Sequence, residues 1–321
     1  MNGAPEVSVL IPHAGNTTRL ERCLDSLRSD RLREVLVVLP GTARHSLALV
    51  ERHPRGRPVV VPRLLSFARA TNLAASMATG ELLFLLNDDT VVQDGAIDRL
   101  ADEFVEQPDL GAAGPLLLNL DGTLQPSVYS DPSWRTLLEL ILQPLFRRGP
   151  LARRARFPHT RPPMLSGEPI WLSGAALMVR RHEFEEIGAL DEGYPHGIED
   201  AALCRAIRNR GHRLALVDDA RIVHEHGVSS YRSRAGSEQV ARALVGGTTG
   251  WIHYWRANGA GPASTALIRT AFVFFGLTRL AVYSIGSVLP GRQRARRLHK
   301  RDAYAAYMRR MLSRSTREPL G

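Results

Sequence analysis

The stretch Leu82-Leu83-Phe84-Leu85-Leu86-Asn87-Asp88-Asp89 decides the fold of this chain. Its first five residues are apolar and uncharged, which predicts a strand buried on both faces of a sheet. In an open α/β sheet, ligands bind beyond the carboxyl ends of the strands, where Asp88 and Asp89 would lie. Carboxylate oxygens suit Mg²⁺ or Mn²⁺, and such ions usually share their coordination with substrate phosphates. The stretch therefore predicts a divalent-cation site or, as the simpler alternative, an acidic turn that caps the next helix.

Strand and helix patterns alternate on both sides of this stretch. Short apolar runs predict strands, and apolar residues three and four apart predict helices. Strands are predicted at 7–11, 34–39, 59–61 and 82–86. Helices are predicted from a cap at Thr17 or Thr18 to about 27, up to about 53, over 67–78 and over 94–106. This order favours an α/β fold with a mainly parallel sheet and helices on both faces.

The pattern changes in the middle of the chain. Residues 116–124 predict a hairpin that turns at Asp121-Gly122. Residues 130–166 are rich in proline and arginine and lack a clear period, which predicts a long surface segment to which no chemistry is assigned. Strand-like sequence returns over 171–179, 213–217 and 220–223.

Length and composition set the scale of the protein. The 321 residues, of which 44% are hydrophobic, suffice for one large α/β domain with an appendage. Cys23 and Cys204 lie in separate helix-like stretches and suggest no disulfide framework, so we expect a reducing compartment. The amino terminus lacks the basic and apolar pattern of a signal peptide, which favours a cytoplasmic location.

The formal net charge of +10 comes mainly from arginine, which is concentrated in a basic cluster over 292–301. The cluster follows a mostly apolar stretch, 266–289, and this order favours an anionic membrane surface over nucleic acid as partner. Arg269 and Arg279 interrupt the apolar stretch, and their charges would be costly at the middle of a bilayer. We therefore predict a helical segment at the membrane interface. The alternative is a helical hairpin that packs on the α/β domain or on a second subunit.

A second group of polar residues lies further along the chain. A loop with glycine and proline, 191–198, leads into Glu199 and Asp200 at the predicted start of a helix. The helix dipole favours acidic residues there, and a carboxylate held at that point can also act as a general base toward a hydroxyl. His224 follows a predicted strand and either completes a metal site or faces solvent.

Eight motifs occur in the order found in one enzyme family. They are 7–11 with Pro12, Asn72, Gly80-Glu81, Asn87-Asp88-Asp89, Trp171-Leu172-Ser173-Gly174-Ala175, Gly188-Ala189-Leu190-Asp191-Glu192, Glu199-Asp200 and His224-x-x-Gly227-x-Ser229. Together they resemble the family 2 glycosyltransferases over roughly residues 5–230. The resemblance is greatest to the rhamnosyltransferase-like branch, which acts on bacterial surface polysaccharides.

The resemblance implies a GT-A fold, in which a nucleotide-sugar donor lies across a Rossmann-like sheet, with a helical extension at the carboxyl end. It implies a catalytic domain over 1–230, divided into a nucleotide-sugar half over about 1–115 and an acceptor half over about 116–230. Residues 231–321 would form the helical, basic, membrane-associated extension. An oligomer is compatible with this arrangement.

The same resemblance assigns roles to individual residues. Asp200 corresponds to the catalytic base, and Glu199 to a residue that positions the acceptor or the loop. Asp89 and His224 would hold Mg²⁺ or Mn²⁺, with His226 as a weaker candidate. The residues expected at the donor are Pro12, Asn72, Asn87 and Asp88.

The implied reaction is a single displacement that inverts the anomeric carbon. The donor would be dTDP-rhamnose or a UDP-sugar. The acceptor would be a lipid-linked saccharide that serves the synthesis of cell-surface polysaccharide. The enzyme would work at the inner face of the membrane. One departure concerns the turn after the second strand, where the family has an aspartate-rich sequence that reads the base. This chain has Leu39-Pro40-Gly41-Thr42 there.

Three alternatives remain open at the level of sequence. The altered turn favours a non-catalytic, membrane-associated nucleotide-sugar-binding protein of the same fold. A nucleotidyltransferase would also hold a metal with carboxylates, although residues 12–16 contain a single glycine rather than a glycine-rich loop. A nucleic-acid-binding protein is supported only by the net charge, because the sequence shows no aromatic-interleaved basic motif.

Overall fold

The computed structural model describes residues 4–142, 170–195, 197–225, 236–291 and 293–313. These residues fall into two compact units. The first unit lies within Met1–Asp131, His159–Glu192 and Glu199–His226, and the second within Pro132–Pro158, Gly193–Ile198 and Gly227–Gly321. The predicted domain boundary at residue 230, the candidate His226 and the motif residues Gly227 and Ser229 lie outside the described residues.

The described residues form ten strands and ten helices. In chain order they are β1 (Val7–Pro12), α1 (Thr17–Asp25), β2 (Leu32–Pro40), α2 (Arg44–Arg52), β3 (Gly56–Val61), α3 (Phe67–Met77), β4 (Leu82–Leu86), β5 (Thr90–Val92), α4 (Ala96–Glu106), β6 (Leu110–Leu118), β7 (Val128–Ser130), α5 (Trp134–Leu142), β8 (Ile170–Leu172), β9 (Ala176–Arg180), α6 (Arg181–Glu186), α7 (Glu199–Asn209), β10 (Arg213–His224), α8 (Ser237–Ala257), α9 (Pro262–Val288) and α10 (Arg294–Leu312).

The first unit contains a sheet of eight strands in the order β3-β2-β1-β4-β9-β6-β10-β5. Strands β3, β2, β1 and β4 pair in parallel, and so do β6 and β10. Strand β9 runs antiparallel between β4 and β6, and β5 runs antiparallel to β10. A separate two-stranded sheet joins β7 to β8. The predicted mainly parallel α/β sheet is therefore confirmed.

Apolar residues lie on both faces of this sheet. Along β1, Val9 and Ile11 belong to one buried cluster, and Leu10 between them belongs to another. Helices α1 and α4 add side chains to the first cluster, and α3 and α7 add side chains to the second. Because successive residues of a strand point to opposite faces, a strand covered on both sides must be apolar throughout. This explains why β4 reads as an unbroken apolar run.

Several local predictions need correction. The side chain of Asn16, rather than that of Thr17 or Thr18, caps α1 by accepting a hydrogen bond from the backbone of Arg19. The predicted strands at 213–217 and 220–223 form one strand, β10, with an irregularity between Val217 and Arg221. The predicted hairpin is reduced to a turn with a single bridge between Leu118 and Leu124.

Three further differences from the predictions lie between residues 90 and 179. The segment over 130–166 contains the helix α5, so the prediction of a stretch without a clear period was wrong for its first part. The apolar sequence at 171–179 is divided into β8 and β9 by the loop Ser173-Gly174-Ala175. Residues 90–92, for which no strand was predicted, form β5.

The second unit is helical in its described part. Helices α8, α9 and α10 share a core in which Ile252, Ile268 and Phe272 pack with Leu137 of α5. The hydroxyl of Tyr307 lies 3.0 Å from Thr248 Oγ1 and donates a hydrogen bond to the backbone oxygen of Phe272. Among the described residues, α9 is the one helix that is long and apolar enough to cross a membrane.

Candidate active site

The turn Asn87-Asp88-Asp89 follows β4 directly, at the carboxyl edge of the sheet. Its backbone is fixed at Asn87, whose N–H donates to the carbonyl oxygen of Ala175 at 3.0 Å. The carbonyl oxygen of Asn87 accepts a hydrogen bond from Thr90 Oγ1 at 2.8 Å. Both carboxylates are consequently held where ligands bind in open α/β sheets.

Asp89 and His224 lie side by side. His224 ends β10 and pairs in register with Thr90 of β5, the residue after Asp89. The Nε2 atom of His224 lies 3.2 Å from Oδ1 of Asp89, and both side chains are almost buried. The structure therefore brings together the two predicted metal ligands, which are 135 positions apart in sequence.

Gln125 determines which nitrogen of His224 carries the hydrogen. The amide nitrogen of Gln125 donates to the backbone oxygen of His224 and to Oδ1 of Asn119, so its oxygen, Oε1, faces Nδ1 of His224 at 2.7 Å. Because this oxygen only accepts hydrogen bonds, Nδ1 must donate. In the neutral ring Nε2 is then unprotonated and presents its lone pair to Asp89.

These two atoms fit a shared divalent cation. Two acceptors that face each other repel unless a proton or a cation lies between them. Neighbouring ligands of an octahedral ion with bonds of about 2.1 Å lie about 3.0 Å apart, close to the separation of Nε2 and Oδ1. No group of three histidine, cysteine, aspartate or glutamate residues that could hold a metal occurs within the described ranges. Substrate phosphates and water would have to complete the coordination, as is usual for Mg²⁺.

Two arginines of α1 lie at the same place and were not predicted. Arg19 donates through Nε to Glu225, and its Nη1 lies 4.0 Å from Oδ2 of Asp89. Glu225 also pairs with Arg22, and its backbone N–H donates to the carbonyl oxygen of Asp89. The site thus holds a positive group beside the carboxylate that would hold the metal.

Asp88 is held by a histidine that the sequence did not single out. Its Oδ2 lies 2.7 Å from Nδ1 of the buried His13 and accepts a weaker bond from the backbone N–H of Ala14. The other ring nitrogen of His13 lies 2.8 Å from Oγ of Ser46 in α2, which contacts Oγ1 of Thr17. Asp88 therefore has a fixed orientation at the carboxyl end of β1.

Two other residues that were predicted to contact the nucleotide-sugar donor, Pro12 and Asn72, lie in different elements of the fold. Pro12 is the last residue of β1 and lies next to His13. Asn72 lies in α3, where its amide donates to the backbone oxygen of Leu190 and to Glu192, and its oxygen accepts from the N–H of Leu190. These contacts give Asn72 a structural role, and its expected contact with the donor stays a prediction.

Asp200 lies in the first turn of α7, and its two carboxylate oxygens accept backbone hydrogen bonds. Oδ2 accepts from Gly174 at 2.8 Å, and Oδ1 accepts from Ala201 at 2.9 Å. Although its side chain keeps some exposure, removal of water by the surrounding protein raises the pKa of Asp200 above the usual carboxyl range. A raised pKa suits a general base that works near neutral pH.

Glu199 precedes Asp200, and its carboxylate is less completely hydrogen-bonded. Its Oε2 has no hydrogen-bond partner among the described residues. Desolvation, and then the charge of Asp200, raise the pKa of Glu199 strongly. Two neighbouring acids with raised pKa values in a partly buried place are typical of functional sites rather than of helix caps.

An aromatic pair lies near Asp200. The rings of Tyr129 and Trp171 are stacked with centroids 4.3 Å apart, and the indole N–H of Trp171 donates to the backbone oxygen of Ser130. Burial, and then the charge of Asp200, raise the pKa of Tyr129 to about 12. Sequence reasoning placed Trp171 in a motif but did not identify this pair, since β7 and β8 are separated by 39 residues.

Comparison with known proteins identifies the fold and the family. The model of the family described as "Glycosyltransferase like family 2" matches residues 4–243. The chain is similar to a mannosyltransferase from Pyrobaculum calidifontis solved with GDP-Man and Mn²⁺, with a TM-score of 0.51, 18% identity and coverage of 97% of this chain and 88% of that one. This likeness confirms the predicted GT-A fold.

Curated relatives agree with the family. An N-acetylglucosaminyl-diphospho-decaprenol L-rhamnosyltransferase of Mycobacterium tuberculosis is 31% identical over 67% of this chain and 75% of that protein. An O-antigen biosynthesis protein, RfbC, of Myxococcus xanthus is 28% identical over 71% of this chain but only 18% of its own length. The name of the first relative agrees with the predicted rhamnosyltransferase-like branch, and the family confirms the prediction of a glycosyltransferase. By its sequence, the chain belongs to the glycosyltransferases of family 2.

Proposed function

We propose that this glycosyltransferase moves a sugar from a nucleotide-sugar donor to a saccharide acceptor with inversion at the anomeric carbon. Asp200 takes the proton of the acceptor hydroxyl as its oxygen attacks that carbon, and the nucleoside diphosphate leaves from the opposite side. General-base assistance of this kind is typically worth ~10²–10⁴ in rate. Glu199 helps to position the acceptor.

One observation carries this proposal. The carbonyl oxygen of Ala175 accepts from Asn87, and the N–H of the preceding residue, Gly174, donates to Asp200. Two consecutive loop residues therefore hold the turn that contains Asp89 and the carboxylate that would act as base. A displacement needs a base on one side of the sugar and charge stabilisation for the leaving group on the other.

Asp89 and His224 would hold a divalent cation, Mg²⁺ or Mn²⁺. When bound, such an ion stabilises the negative charge that develops on the departing diphosphate, typically by several kcal/mol. Gln125 keeps Nε2 of His224 available as a ligand. Arg19 adds positive charge next to Asp89, while Asp88, held by His13, is aligned for the ribose or the diphosphate.

The relatives guide the choice of donor. Rhamnose from dTDP-rhamnose is the first candidate, because the relative from Mycobacterium tuberculosis is named as a rhamnosyltransferase. A UDP-sugar is the second candidate. The turn Leu39-Pro40-Gly41-Thr42, where the family has an aspartate-rich sequence that reads the base, contains no carboxylate. The base must therefore be recognised by other groups than a carboxylate at that position.

The acceptor proposed is a lipid-linked saccharide for cell-surface polysaccharide. The same relative is named for N-acetylglucosaminyl-diphospho-decaprenol, a lipid-linked sugar. An enzyme that works on such an acceptor has to reach a membrane surface, and we propose the cytoplasmic face. The basic sequence over 292–301 supports a peripheral location on anionic lipids.

The test is a thermal-shift panel of dTDP-, UDP- and GDP-sugars, each with and without Mn²⁺ or Mg²⁺. A ligand that binds only the folded protein raises its melting temperature. We expect a metal-dependent shift with one donor, and transfer from that donor to a polyprenyl-diphosphate saccharide with inverted configuration. A product with retained configuration, or no metal-dependent shift with any donor, would contradict the proposal.

A further inference from the structure

Helix α9 has an apolar face that the other described residues leave exposed. Its large exposed side chains lie mainly three, four or seven residues apart, as expected for one face of a helix, and exposure reaches 72% at Ile285 and 80% at Val288. This face includes Leu267, Phe274, Leu277, Ile285 and Val288, with the exposed Leu289 adjoining the end of the helix. A contiguous apolar surface of this kind marks a binding site for protein or membrane.

The opposite face of α9 is packed within the second unit. A Cβ atom on Gly276 would lie 2.3 Å from Sδ of Met308, so α9 and α10 are in close contact at that point. Arg279 is buried on this inner face, with its guanidinium 5.0 Å from the centroid of the Phe275 ring. The helix is therefore held along α10, and its most costly charge is kept away from the exposed apolar face.

Basic side chains converge on the carboxyl end of the same helix. Arg294 donates to the backbone oxygen of Ser287, and Arg297 donates to that of Leu289. Arg296, between them, is exposed. These contacts bring the basic start of α10 next to Ile285 and Val288, the most exposed apolar residues of α9.

The charge of the sequence is concentrated in the same part of the chain. Residues 231–321 contain 16 Lys and Arg but only 3 Asp and Glu, whereas residues 1–230 contain 26 and 29. A second copy of this chain would bring two strongly positive surfaces together, which repel. A surface of negative charge with an apolar interior suits both the arginines and the apolar side chains.

We propose that residues 282–291 and 293–297, named here the elbow, dock on an anionic lipid monolayer. Ile285, Val288 and Leu289 enter the boundary between headgroups and acyl chains, and Arg294 and Arg296 contact lipid phosphates. Leu267, Phe274 and Leu277 extend the contact along α9, which lies in the plane of the membrane. The inference deepens the proposed function, on which it rests for its purpose of holding the enzyme near a lipid-linked acceptor.

The experiment is co-sedimentation of the full-length protein with vesicles of phosphatidylcholine, with or without phosphatidylglycerol. We expect binding to the anionic vesicles that weakens with salt. The double substitution Ile285→Ser with Val288→Ser should weaken it about tenfold or more, since two apolar side chains no longer enter the lipid. Its matched control is Val105→Ser in α4, a valine that is 58% exposed in the first unit.

A charge reversal tests the basic component. Arg296→Glu should reduce binding severalfold more than Arg28→Glu, an equal change of net charge at an exposed arginine of the first unit. Equal effects of the two reversals, or equal effects of the apolar substitutions and their control, would overturn the proposal. So would a dimer in solution that the double substitution dissociates, because the apolar face would then belong to a second copy.

Failure of this inference is distinguishable from failure of the proposed function. The thermal shift with donor and metal is measured without lipid. If the unaltered protein does not bind anionic vesicles but keeps that shift, the elbow alone is refuted. Vesicle binding without any donor shift would refute the proposed chemistry alone. Melting temperatures of all variants without ligand establish that each is folded.

Discussion

The backbone N–H of Gly174 donates a hydrogen bond of 2.8 Å to Oδ2 of Asp200, and a Cβ atom on Gly174 would lie only 3.0 Å from Cβ of Asp200. The absence of a side chain at this position is thus what allows the loop to approach the carboxylate. The contact both orients the carboxylate and stabilises its charged form, since a backbone donor favours the ionised acid.

Gly174→Ala is predicted to displace Asp200 by a few tenths of an ångström. We expect kcat to fall about tenfold, because small misplacements of a catalytic group are costly, while the donor-induced thermal shift is unchanged. Gly114→Ala is the matched control, since its Cβ would make ordinary contacts at 3.5 Å with Leu172. Equal losses of kcat in both variants would show that general packing, and not the position of Asp200, is responsible.

Asp200→Asn is predicted to abolish transfer while donor binding survives. The amide cannot accept the proton of the acceptor hydroxyl, so kcat should fall by ~10²–10⁴. Transfer assays with single-turnover mixing, together with calorimetry of the donor, separate the two effects. The exposed Asp219→Asn serves as control, and near-normal turnover in Asp200→Asn would remove this residue from the mechanism.

Activity is predicted to rise with pH through the raised pKa of Asp200, because the base must be ionised. The acid limb of kcat against pH should lie above the usual carboxyl range, which is near 4. Glu199→Gln should leave that limb in place, because the higher pKa of Glu199 keeps this neighbour protonated and uncharged while Asp200 ionises. A limb that moves to lower pH would mean that Glu199 is already ionised when Asp200 titrates, which would contradict the prediction.

Glu199→Gln is also predicted to raise the melting temperature at neutral pH by a few degrees. The folded pKa of Glu199 is above its unfolded value, so the unfolded state loses its proton first and stability falls as pH rises between the two values. The neutral amide does not suffer this loss. Melting curves from pH 4 upward should therefore diverge for the two proteins, and parallel curves would contradict the prediction.

Gln125→Ala is predicted to weaken Mn²⁺ binding about 10–100-fold in the presence of the donor, the usual cost of losing the group that orients a metal-bound histidine. Electron paramagnetic resonance of Mn²⁺ measures the free ion directly. His224→Ala and Asp89→Ala should lose the metal-dependent donor shift altogether. Gln93→Ala, at an exposed residue that follows β5, is the control, and unchanged affinity in Gln125→Ala would argue against His224 as a ligand.

Sequence predicted the parts of this protein that depend on local pattern. The apolar runs of β1, β2 and β4 identified the sheet, since a strand buried on both faces has no polar alternation to obscure it. Asp89, Asp200 and His224 could be singled out because each directly follows or begins a predictable element, and their proposed roles came from the family resemblance. Of the site geometry, the sequence could predict only that the carboxyl ends of the parallel strands meet at one edge of the sheet.

The partners of these residues could not be predicted, since they depend on distant chain segments. Strand β9 inserts antiparallel between β4 and β6, and this pairing brings Ala175 to Asn87. The contacts of His13 with Asp88 and of Gln125 with His224 join residues 75 and 99 positions apart. No periodicity or turn signal records such contacts, and a lone histidine or glutamine gives no local sign of its role.

The loop between β8 and β9 limits which chain segments can be recombined between relatives of this enzyme. Ala175 contacts the turn that contains Asp89, the proposed metal ligand, and Gly174 contacts Asp200, the proposed base. Replacement of this loop by that of a relative would therefore alter both halves of the proposed reaction centre at once. Replacement of β4 and its turn alone, or of α7 alone, would leave one half facing a foreign partner. Productive recombination between such enzymes should therefore inherit Ser173-Gly174-Ala175 together with both segments as a single block.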